Sequence, residues 1–232
     1  VNKGSSLTAK NLIINGNCSV AQRGDQTGLS NAYCGVDRYT FITNSAARVT
    51  GKQSGSNAEN GFANALNLDV TTADSSVASG DYAVLRQYIE GQNLQHLKYG
   101  TSSAKSLTLS FYVKSPKTGT HWTEIYSYGA EKLVSASYTV NSADTWEKKT
   151  VTFSGETGNA LADDNTAQLL VNWWLMAGTV YTSGTHGGDV WHLTHANRVP
   201  GQVNVLDSTS NNFYVTGVQL EIGEKATEFE HE

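Results

Sequence analysis

The sequence predicts an all-β protein: a single antiparallel β-sandwich of jelly-roll type, with residues 1–232 as one domain. Segments that alternate between apolar and polar residues recur along the chain, and turn residues separate them about every 8–12 positions. The composition is 38% hydrophobic and 16% charged, with 22 glycines, as expected for short strands joined by polar turns. Five Trp, eleven Tyr and six Phe can supply the core.

The first half of the chain is predicted to contain four strands and one helical turn. Residues 1–35 carry glycine turns at Gly16, Gly24, Gly28 and Gly35, so we expect this segment to wrap the domain edge. The segment "GQNLQHLKYG" (91–100) suits a helical turn. The strands are expected at "NLIING" (11–16), "VDRYTFIT" (36–43), "NALNLDV" (64–70) and "YAVLRQYIE" (82–90).

The central strands show the clearest alternation. In "KSLTLSFYVKS" (105–115) one face carries Leu107, Leu109, Phe111 and Val113, which is typical of a half-buried antiparallel strand. The segment "AQLLVNWWLMAG" (167–178) is apolar on both faces and predicts a central strand covered on both sides. Three further strands are expected between these two, at "THWTEIYSYG" (120–129), "LVSASYTV" (133–140) and "WEKKTVTFSG" (146–155).

The C-terminal part begins with a long loop and ends with a strand and a tail. Residues 178–212 contain only short apolar patches, and loops of that length in compact domains are usually functional. The closing strand "FYVTGVQLEIG" (213–223) should direct Val218, Leu220 and Ile222 into the core and Gln219 and Glu221 outward. In the lead-out tail, 223–232, we expect Phe229 to pack back on the sandwich and the glutamates to be solvated.

Charge and hydropathy argue against two classes of partner. A net charge of −5 is mild and argues against a nucleic-acid partner, whose phosphates call for a basic face. Apolar runs of about twenty residues are lacking, so we expect no membrane insertion.

Cys18 and Cys34 either pair across a loop or stay as buried free thiols, and we favour the thiols because two cysteines are too few for a disulfide scaffold. The chain starts at Val1 and we expect a longer parent protein.

Two clusters contain residue types that bind metals. His186, Asp189, His192 and His195 lie within ten residues and could hold a divalent ion. Because His192 and His195 would point to opposite sides of an extended chain, we favour ordinary loop histidines. The second cluster, at 163–165, consists of Asp163, Asp164 and Asn165, whose oxygen atoms are of the kind that calcium binds. It lacks the spacing of a calcium loop, so we favour an Asx-rich turn. We therefore expect no metal or other cofactor.

Catalytic patterns are weak. Glycoside hydrolysis needs two carboxylates about 5–10 Å apart, and Glu124 and Glu147 lie on candidate neighbouring strands, with Asp81 and Glu90 elsewhere. No spacing selects a pair, so solvent-facing strand residues are the favoured interpretation. A G-x-S-x-G motif is missing, and neither cysteine has a neighbouring base. We expect a protein without enzymatic activity.

The charged pair at 37–38 is interpreted as structural. Asp37 and Arg38 lie at a strand start and point to opposite faces, so each is expected to pair with some other residue.

Sugar binding is the surface chemistry that the composition favours. A pyranose presents an apolar face that stacks on Trp or Tyr, while polar side chains bond its hydroxyls. Our preferred pair is Trp191 with His192, because it lies in the long polar loop. Aromatic residues of a sandwich are also commonly core or subunit interface, and that alternative stays open for each candidate. The further glycan-binding candidates are Tyr181, Trp122, Tyr126, Tyr128 and Trp174.

Three motifs resemble a known family of proteins. The stretches "NLIINGNCSVAQRG", "YCGVDRYTF" and "FYVTGVQLEIGEKATEFEH" resemble a domain of tailed-bacteriophage virion proteins, found in tail fibres and other appendages. The chain is also similar to the jelly-roll carbohydrate-binding modules of secreted glycosidases, which often carry a structural calcium. The phage family usually has a proline before "FEH" and an arginine after it, where this chain has Glu228 and Glu232.

The resemblance implies a location and partners. It places the chain in a virion, as a tail-fibre or surface-appendage protein that attaches to a host-surface glycan. Other virion proteins would be its neighbours, and a homotrimer is expected because phage fibres are commonly trimeric. The alternative is a capsid or tail decoration protein that binds only other virion proteins. A glycan depolymerase ranks third, because none of the three motifs carries a catalytic residue.

Overall fold

The computed structural model describes residues 11–55 and 61–230, in which twelve strands form two six-stranded sheets. The strands of the first half are β1 (Gln26–Leu29), β2 (Asn31–Tyr33), β3 (Tyr39–Thr43), β4 (Arg48–Gly55), β5 (Asn64–Thr72) and β6 (Tyr82–Glu90). Those of the second half are β7 (Leu107–Lys114), β8 (Gly119–Ser127), β9 (Lys132–Val140), β10 (Glu147–Phe153), β11 (Ala167–Ala177) and β12 (Asn212–Ile222).

The order of the strands is that of a jelly roll. The first sheet runs β1-β4-β5-β12-β7-β10 and the second runs β2-β3-β6-β11-β8-β9, with antiparallel neighbours throughout the described residues. Counting β5 as first and β12 as eighth, the first sheet holds strands one, eight, three and six, and the second holds two, seven, four and five. This is the double Greek key of a jelly roll, extended at one edge of each sheet by β1–β4. The predicted fold class is therefore confirmed.

The core lies between the two sheets and follows the predicted alternation. Leu107, Leu109, Phe111 and Val113 of β7 are all fully buried. The Phe111 ring meets Trp173 of β11 edge-on, with their centroids 5.8 Å apart. β11 lies between β6 and β8 in the second sheet, and its residues 168–176 are buried on both faces, as its sequence predicted.

The prediction of a strand at 11–16 is wrong. Residues 14–17 form a turn, in which Asn15 has a left-handed backbone with φ of 60°. This turn is held by β12: the Asn11 side-chain amide donates to the Val218 carbonyl at 3.1 Å, and the Leu12 amide donates to the Leu220 carbonyl at 2.9 Å. The segment is apolar because Leu12 and Ile13 are buried in the core. From the sequence alone, a short apolar segment of this kind cannot be distinguished from a strand.

The helical turn predicted at 91–100 is present as two short 3-10 turns, Gly91–Asn93 and Gln95–Leu97. Leu94 and Leu97 are buried by it in the core. No helix in the part of the chain that the structure describes is both long and apolar enough to span a bilayer.

The cysteines are free thiols, as favoured from the sequence. Cys18 and Cys34 are both buried in the core. Burial raises the pKa of each thiol to about 12, so both stay protonated and unreactive at neutral pH.

Two polar residues of β12 face outward as predicted, but they are not exposed to solvent. Val218 and Leu220 enter the core as expected, but Gln219 and Glu221 are also buried, at 1% and 0% exposure. The Glu221 carboxylate accepts hydrogen bonds from the Thr227 backbone amide at 2.9 Å and the Thr227 hydroxyl at 2.6 Å. The residues after β12 therefore cover the outer face of this strand.

The tail itself lies on the sandwich. The Phe229 ring packs edge-on against Phe62, with centroids 4.8 Å apart, as expected from the sequence. The glutamates are not all solvated, however. Glu224 and Glu228 are exposed, whereas the Glu230 carboxylate accepts from the Asn11 backbone amide at 3.2 Å.

The two residues of the charged pair at 37–38 behave differently. Asp37 pairs with Arg23, with 3.0 Å between Oδ1 and Nη1, as the structural interpretation predicted. Arg38 is exposed, and among the described residues it forms no ion pair, which contradicts the expected partner. The cause is local: Arg38 has a left-handed backbone, φ 76°, just before β3 begins, which turns its side chain away from the strand.

Candidate functional site

The outer face of the second sheet, turned away from the core, carries a row of aromatic and polar side chains. Along β6, Ala83 and Leu85 enter the core, so the residues between them face outward. Along β11, Val171 and Trp173 enter the core in the same way. The outward-facing residues of these strands are Tyr82, Val84, Arg86 and Tyr88 of β6 and Leu170, Asn172 and Trp174 of β11.

The long segment 178–212 lies across part of this face. It contains a helical turn at Thr179–Thr182 and a 3-10 turn at His195–Asn197. Backbone hydrogen bonds attach it at both ends: the Gly178 amide donates to the Asp81 carbonyl at 2.8 Å, and the Val205 amide donates to the Leu175 carbonyl at 2.8 Å. The segment is therefore attached to the rest of the sandwich near both of its ends.

A cleft of about 240 Å³ remains between the sheet and this segment, and we call it the aromatic cleft. Four tyrosines, one arginine and one histidine form its walls: Tyr82, Arg86, Tyr126, Tyr128, Tyr181 and His195. Asn172, Trp174 and Arg198 line it more deeply. None of the described residues that line it is Asp or Glu.

The floor of the cleft is a buried ionic network around Glu124. Arg198 donates to both carboxylate oxygens, from Nε to Oε2 at 2.8 Å and from Nη2 to Oε1 at 2.6 Å. The Asn172 amide also donates to Oε1, at 2.8 Å, and Arg86 Nε donates to Asn172 Oδ1 at 2.8 Å. One carboxylate thus links two arginines through direct and amide-mediated hydrogen bonds.

Glu124 is fully buried, so its interpretation as a solvent-facing strand residue is wrong. Its side chain leaves the sheet on the outer face, but the long segment covers it. Burial alone would raise the pKa of Glu124, and the adjacent Arg198 guanidinium outweighs burial and lowers that pKa below its ordinary value. Arg198 shows the reciprocal effect: burial lowers its pKa, and Glu124 raises it above the ordinary value.

Aromatic rings surround the Arg198 guanidinium. Its Cζ lies 5.0 Å from the ring centroid of Trp174 and 5.7 Å from the centroids of both Tyr126 and Tyr181. These are cation–π distances. Tyr181 packs in turn on Tyr82, with centroids 5.7 Å apart. Tyr126 and Tyr181 therefore pack on the floor of the cleft, and Tyr82 packs on Tyr181.

The candidate aromatic residues separate by exposure. Tyr128 is 51% exposed, and Tyr126 and Tyr181 are half-buried at the cleft. Trp122 and Trp174 are 5% and 1% exposed and belong to a small apolar cluster under the long segment. Trp122 Nε1 also donates to the Pro200 carbonyl at 3.0 Å. Only the tyrosines therefore present ring surface to a ligand.

Trp191 and His192, the pair preferred from the sequence, lie outside the cleft. The Trp191 ring meets Tyr99 edge-on at 5.7 Å, and its Nε1 donates to the Ser154 carbonyl at 2.7 Å. The backbone of His192 pairs with Leu133 at the edge of β9, and burial lowers the pKa of its ring. Both residues fasten the long segment to the sandwich.

The metal-ligand candidates do not converge. His186 packs on Trp122 with centroids 4.6 Å apart, while Asp189 Oδ1 accepts from the Ser154 amide at 2.8 Å. Within residues 11–55 and 61–230, no group of three or more His, Cys, Asp and Glu side chains is arranged to hold a metal ion. The calcium candidates Asp163, Asp164 and Asn165 are exposed. Asp164 closes an Asx turn by accepting from the Thr166 amide at 3.0 Å.

The sequence placed Glu124 and Glu147 on candidate neighbouring strands. The structure places them in different sheets. Glu124 is in β8 of the second sheet, and Glu147 is in β10 of the first. Glu147 is partly exposed and hydrogen-bonded: it accepts from the Asn141 backbone amide at 2.8 Å and from Lys149 Nζ at 2.6 Å. Burial would raise its pKa, but these hydrogen bonds lower it to about 2.

Sequence reasoning missed several residues of the cleft: Tyr82, Arg86, Asn172 and Arg198. A signal for two of them was available, because the alternation in "YAVLRQYIE" places Tyr82 and Arg86 on one face of β6. An arginine between buried neighbours on a central strand indicates a paired or functional charge. Nothing in the sequence indicated that Arg198 returns to Glu124, because the two are 74 residues apart.

No protein-family model matches the chain, and no curated protein matches it in sequence. Several solved structures share its fold at low similarity. The enzymatically active domain of bacteriophage CBA120 tailspike protein 4 is 12% identical, with a TM-score of 0.44 over 91% of this chain and 21% of that one. The chain therefore spans about a fifth of the tailspike chain.

Two carbohydrate-binding modules show a similar likeness over nearly their whole length. The family 11 module of a cellulosomal cellulase from Clostridium thermocellum is 15% identical, with a TM-score of 0.43 over 87% of this chain and 97% of that one. TmCBM61, in complex with β-1,4-galactotriose, is 10% identical, with a TM-score of 0.43 over 92% and 99%. These likenesses concern the fold alone.

Proposed function

We propose that this domain binds a saccharide in the aromatic cleft. The observation that carries the proposal is the presence of four tyrosines around an open cleft whose floor is a satisfied ionic network. Tyrosine rings stack on the apolar face of a sugar, and their hydroxyls and neighbouring polar groups bond its hydroxyls. Because the rings are already packed on Arg198, little side-chain freedom is lost when a ligand binds.

The residues have distinct roles in this proposal. Tyr126 and Tyr181, each 5.7 Å from Arg198, supply the stacking surface, and Tyr128 extends the wall toward solvent. Arg86 and His195 supply hydrogen-bond donors. A volume of about 240 Å³ is below the usual range for pockets that enclose a drug-sized ligand, so we expect the cleft to take one end or one unit of a longer glycan.

The wider setting is proposed from the sequence motifs. Their resemblance to tail-fibre and appendage domains supports a virion protein that attaches to host-surface glycans as a homotrimer among other virion proteins. In that role the domain binds without cleaving. Among the described residues, no carboxylate lines the cleft, and glycoside hydrolysis commonly uses two.

The test is a glycan array followed by titration calorimetry of any ligand found. We expect Tyr126→Ala to weaken binding about tenfold, the loss of one stacked ring. Tyr214→Ala is the matched control, because Tyr214 is also half-buried but lies on β12 of the first sheet. Failure of all glycans to bind, with the chain located in a capsid lattice or an internal ring of the particle, would instead support the decoration-protein alternative.

A further inference from the structure

The floor of the aromatic cleft is positively charged, although the net charge of the chain is −5. The groups that reach its floor are Arg86 and Arg198, with Glu124 as the one buried carboxylate between them. Two cations therefore share one anion, which leaves about one positive charge at the floor. Two further carboxylates, Glu131 and Asp81, act electrostatically on Tyr126 and Tyr181 respectively, and neither lines the cleft.

The two arginines differ in how many of their guanidinium nitrogens form hydrogen bonds. Arg198 places Nε and Nη2 on Glu124, and its Nη1 lies 3.3 Å from His195 Nδ1. Arg86 uses only Nε, which donates to Asn172, and its guanidinium lies 5.7 Å from the ring centroid of Tyr88. Among the described residues, no Asp or Glu forms an ion pair with Arg86, so the four N–H donors of its two terminal nitrogens are available at the cleft wall.

His195 adds a donor beside them. An arginine nitrogen can only donate, so the contact with Arg198 requires His195 Nδ1 to accept. A neutral imidazole that accepts at Nδ1 carries its proton on Nε2. His195, an exposed residue that lines the cleft, therefore has an Nε2–H donor.

We propose that the aromatic cleft selects an acidic saccharide, whose negatively charged substituent binds the terminal nitrogens of Arg86. This inference rests on the proposed sugar binding and specifies its ligand class. The planar guanidinium fork matches a carboxylate or sulfate group with two parallel hydrogen bonds. The sugar ring stacks on the tyrosines, and no carboxylate among the described lining residues repels the charged group.

The experiment compares matched ligands on the unmodified protein. Oligosaccharides that contain uronic acids are tested beside their carboxyl-reduced neutral counterparts and beside sulfated oligosaccharides, first on an array and then by calorimetry. We expect the acidic member of a pair to bind at least about tenfold more tightly, as for a charge-assisted hydrogen-bonded pair. Its affinity should fall when NaCl is raised from about 50 mM to about 500 mM. The uronate and sulfate arms identify which acidic group is preferred.

Variants then assign the preference to Arg86. Arg86→Gln can still donate to Asn172 but lacks the charged fork, and it should abolish the difference between acidic and neutral ligands. Arg86→Lys should retain part of it, because the charge remains without the bidentate geometry. Lys105→Gln is the control: it removes the same charge at an exposed position beside β7 of the first sheet. Circular dichroism checks that each variant is folded.

The outcomes separate this inference from the proposed function. If neutral saccharides bind as tightly as acidic ones and Tyr126→Ala still weakens them, the cleft is a sugar site and the acidic preference is overturned. Retention of the preference in a folded Arg86→Gln also overturns it. If no saccharide of any class binds, both proposals fail. Should Arg86→Gln not fold, the ligand pairs and the salt dependence on the unmodified protein still decide.

Discussion

Single side chains control how the long segment sits on the sheet. Arg198 reaches from the end of a 3-10 turn to a carboxylate on β8, and every polar atom of the Glu124 carboxylate has a partner. A buried ion pair is weak evidence of net stability, because desolvation of both charges offsets their attraction. Its geometry is nevertheless restrictive, because a segment that covered Glu124 without placing Arg198 beside it would leave a buried carboxylate without a cationic partner. We infer that the pair specifies the shape of the cleft.

His121 is a second buried ionisable side chain, and it makes stability depend on pH. Its ring is fully buried and stacked on Tyr138, with centroids 5.4 Å apart. Nε2 lies 2.9 Å from the Lys117 carbonyl, to which it donates, and Nδ1 has no partner among the described residues. Burial lowers the pKa of His121, so the folded protein favours the neutral ring.

We predict that the free energy of unfolding decreases as the pH falls below about 6.5. The unfolded chain takes up a proton near that pH, whereas folded His121 takes it up only at lower pH, so protonation favours the unfolded state. The contribution is fully present above about pH 6.5 and is lost as the pH falls toward the folded pKa. Urea titrations from about pH 7.5 to about pH 5 measure the slope, and His121→Gln should reduce it. An unchanged slope in that variant would assign the effect to other groups, of which His192 is the first candidate.

At the level of elements, β12 depends on the residues that follow it. Its outer face buries Gln219 and Glu221 beneath residues 224–230, and the Glu221 carboxylate relies on Thr227 for two of its hydrogen bonds. The tail is thus part of the sandwich rather than an appendage. The tail is polar and charged, so it can supply the hydrogen-bond partners that the buried polar side chains on this face of β12 require.

We predict that Thr227→Val lowers the free energy of unfolding by about 1–3 kcal/mol, the contribution of one hydrogen bond to a buried carboxylate. The substitution keeps the shape and the backbone donor and removes only the hydroxyl that donates to Glu221 at 2.6 Å. Glu224→Gln in the same tail is the control, because Glu224 is exposed and should change stability by less than about 0.5 kcal/mol. Equal urea midpoints for the two variants would contradict the role given to the tail.

The success of sequence reasoning differed between elements for a physical reason. Alternation predicted β7 and a continuous apolar run predicted β11, because the apolar side chains of both strands meet the core directly. It missed β4, whose one large apolar residue is Val49, because that strand is specified by pairing with β1 and β5. It also assigned Gln219, Glu221 and Glu124 to solvent. Polar residues on a strand predict an outward face, but only the tertiary fold determines whether another segment covers that face.

At the level of the whole molecule, the fold was easier to predict than the site. Strand number and turn spacing constrain a jelly roll, whereas the aromatic cleft brings together β6, β8, β11 and the 3-10 turn at His195–Asn197. Three of the seven aromatic and histidine candidates line its accessible walls: Tyr126, Tyr128 and Tyr181. The preferred pair was sought in the long segment because loops carry function, but Trp191 and His192 attach that segment to the sandwich.

The single-domain organisation predicted from the sequence has a direct thermodynamic consequence. The main apolar cluster includes residues of both sheets, among them Leu68 and Phe213 of the first and Leu85 and Trp173 of the second. Neither sheet can therefore keep its buried face dry when the other unfolds, and we predict one cooperative transition. Tryptophan fluorescence, which reports on buried Trp173 and Trp174, should give the same urea midpoint as far-UV circular dichroism. Two separate midpoints, or a calorimetric enthalpy that exceeds the van't Hoff value, would show that the chain unfolds as more than one unit.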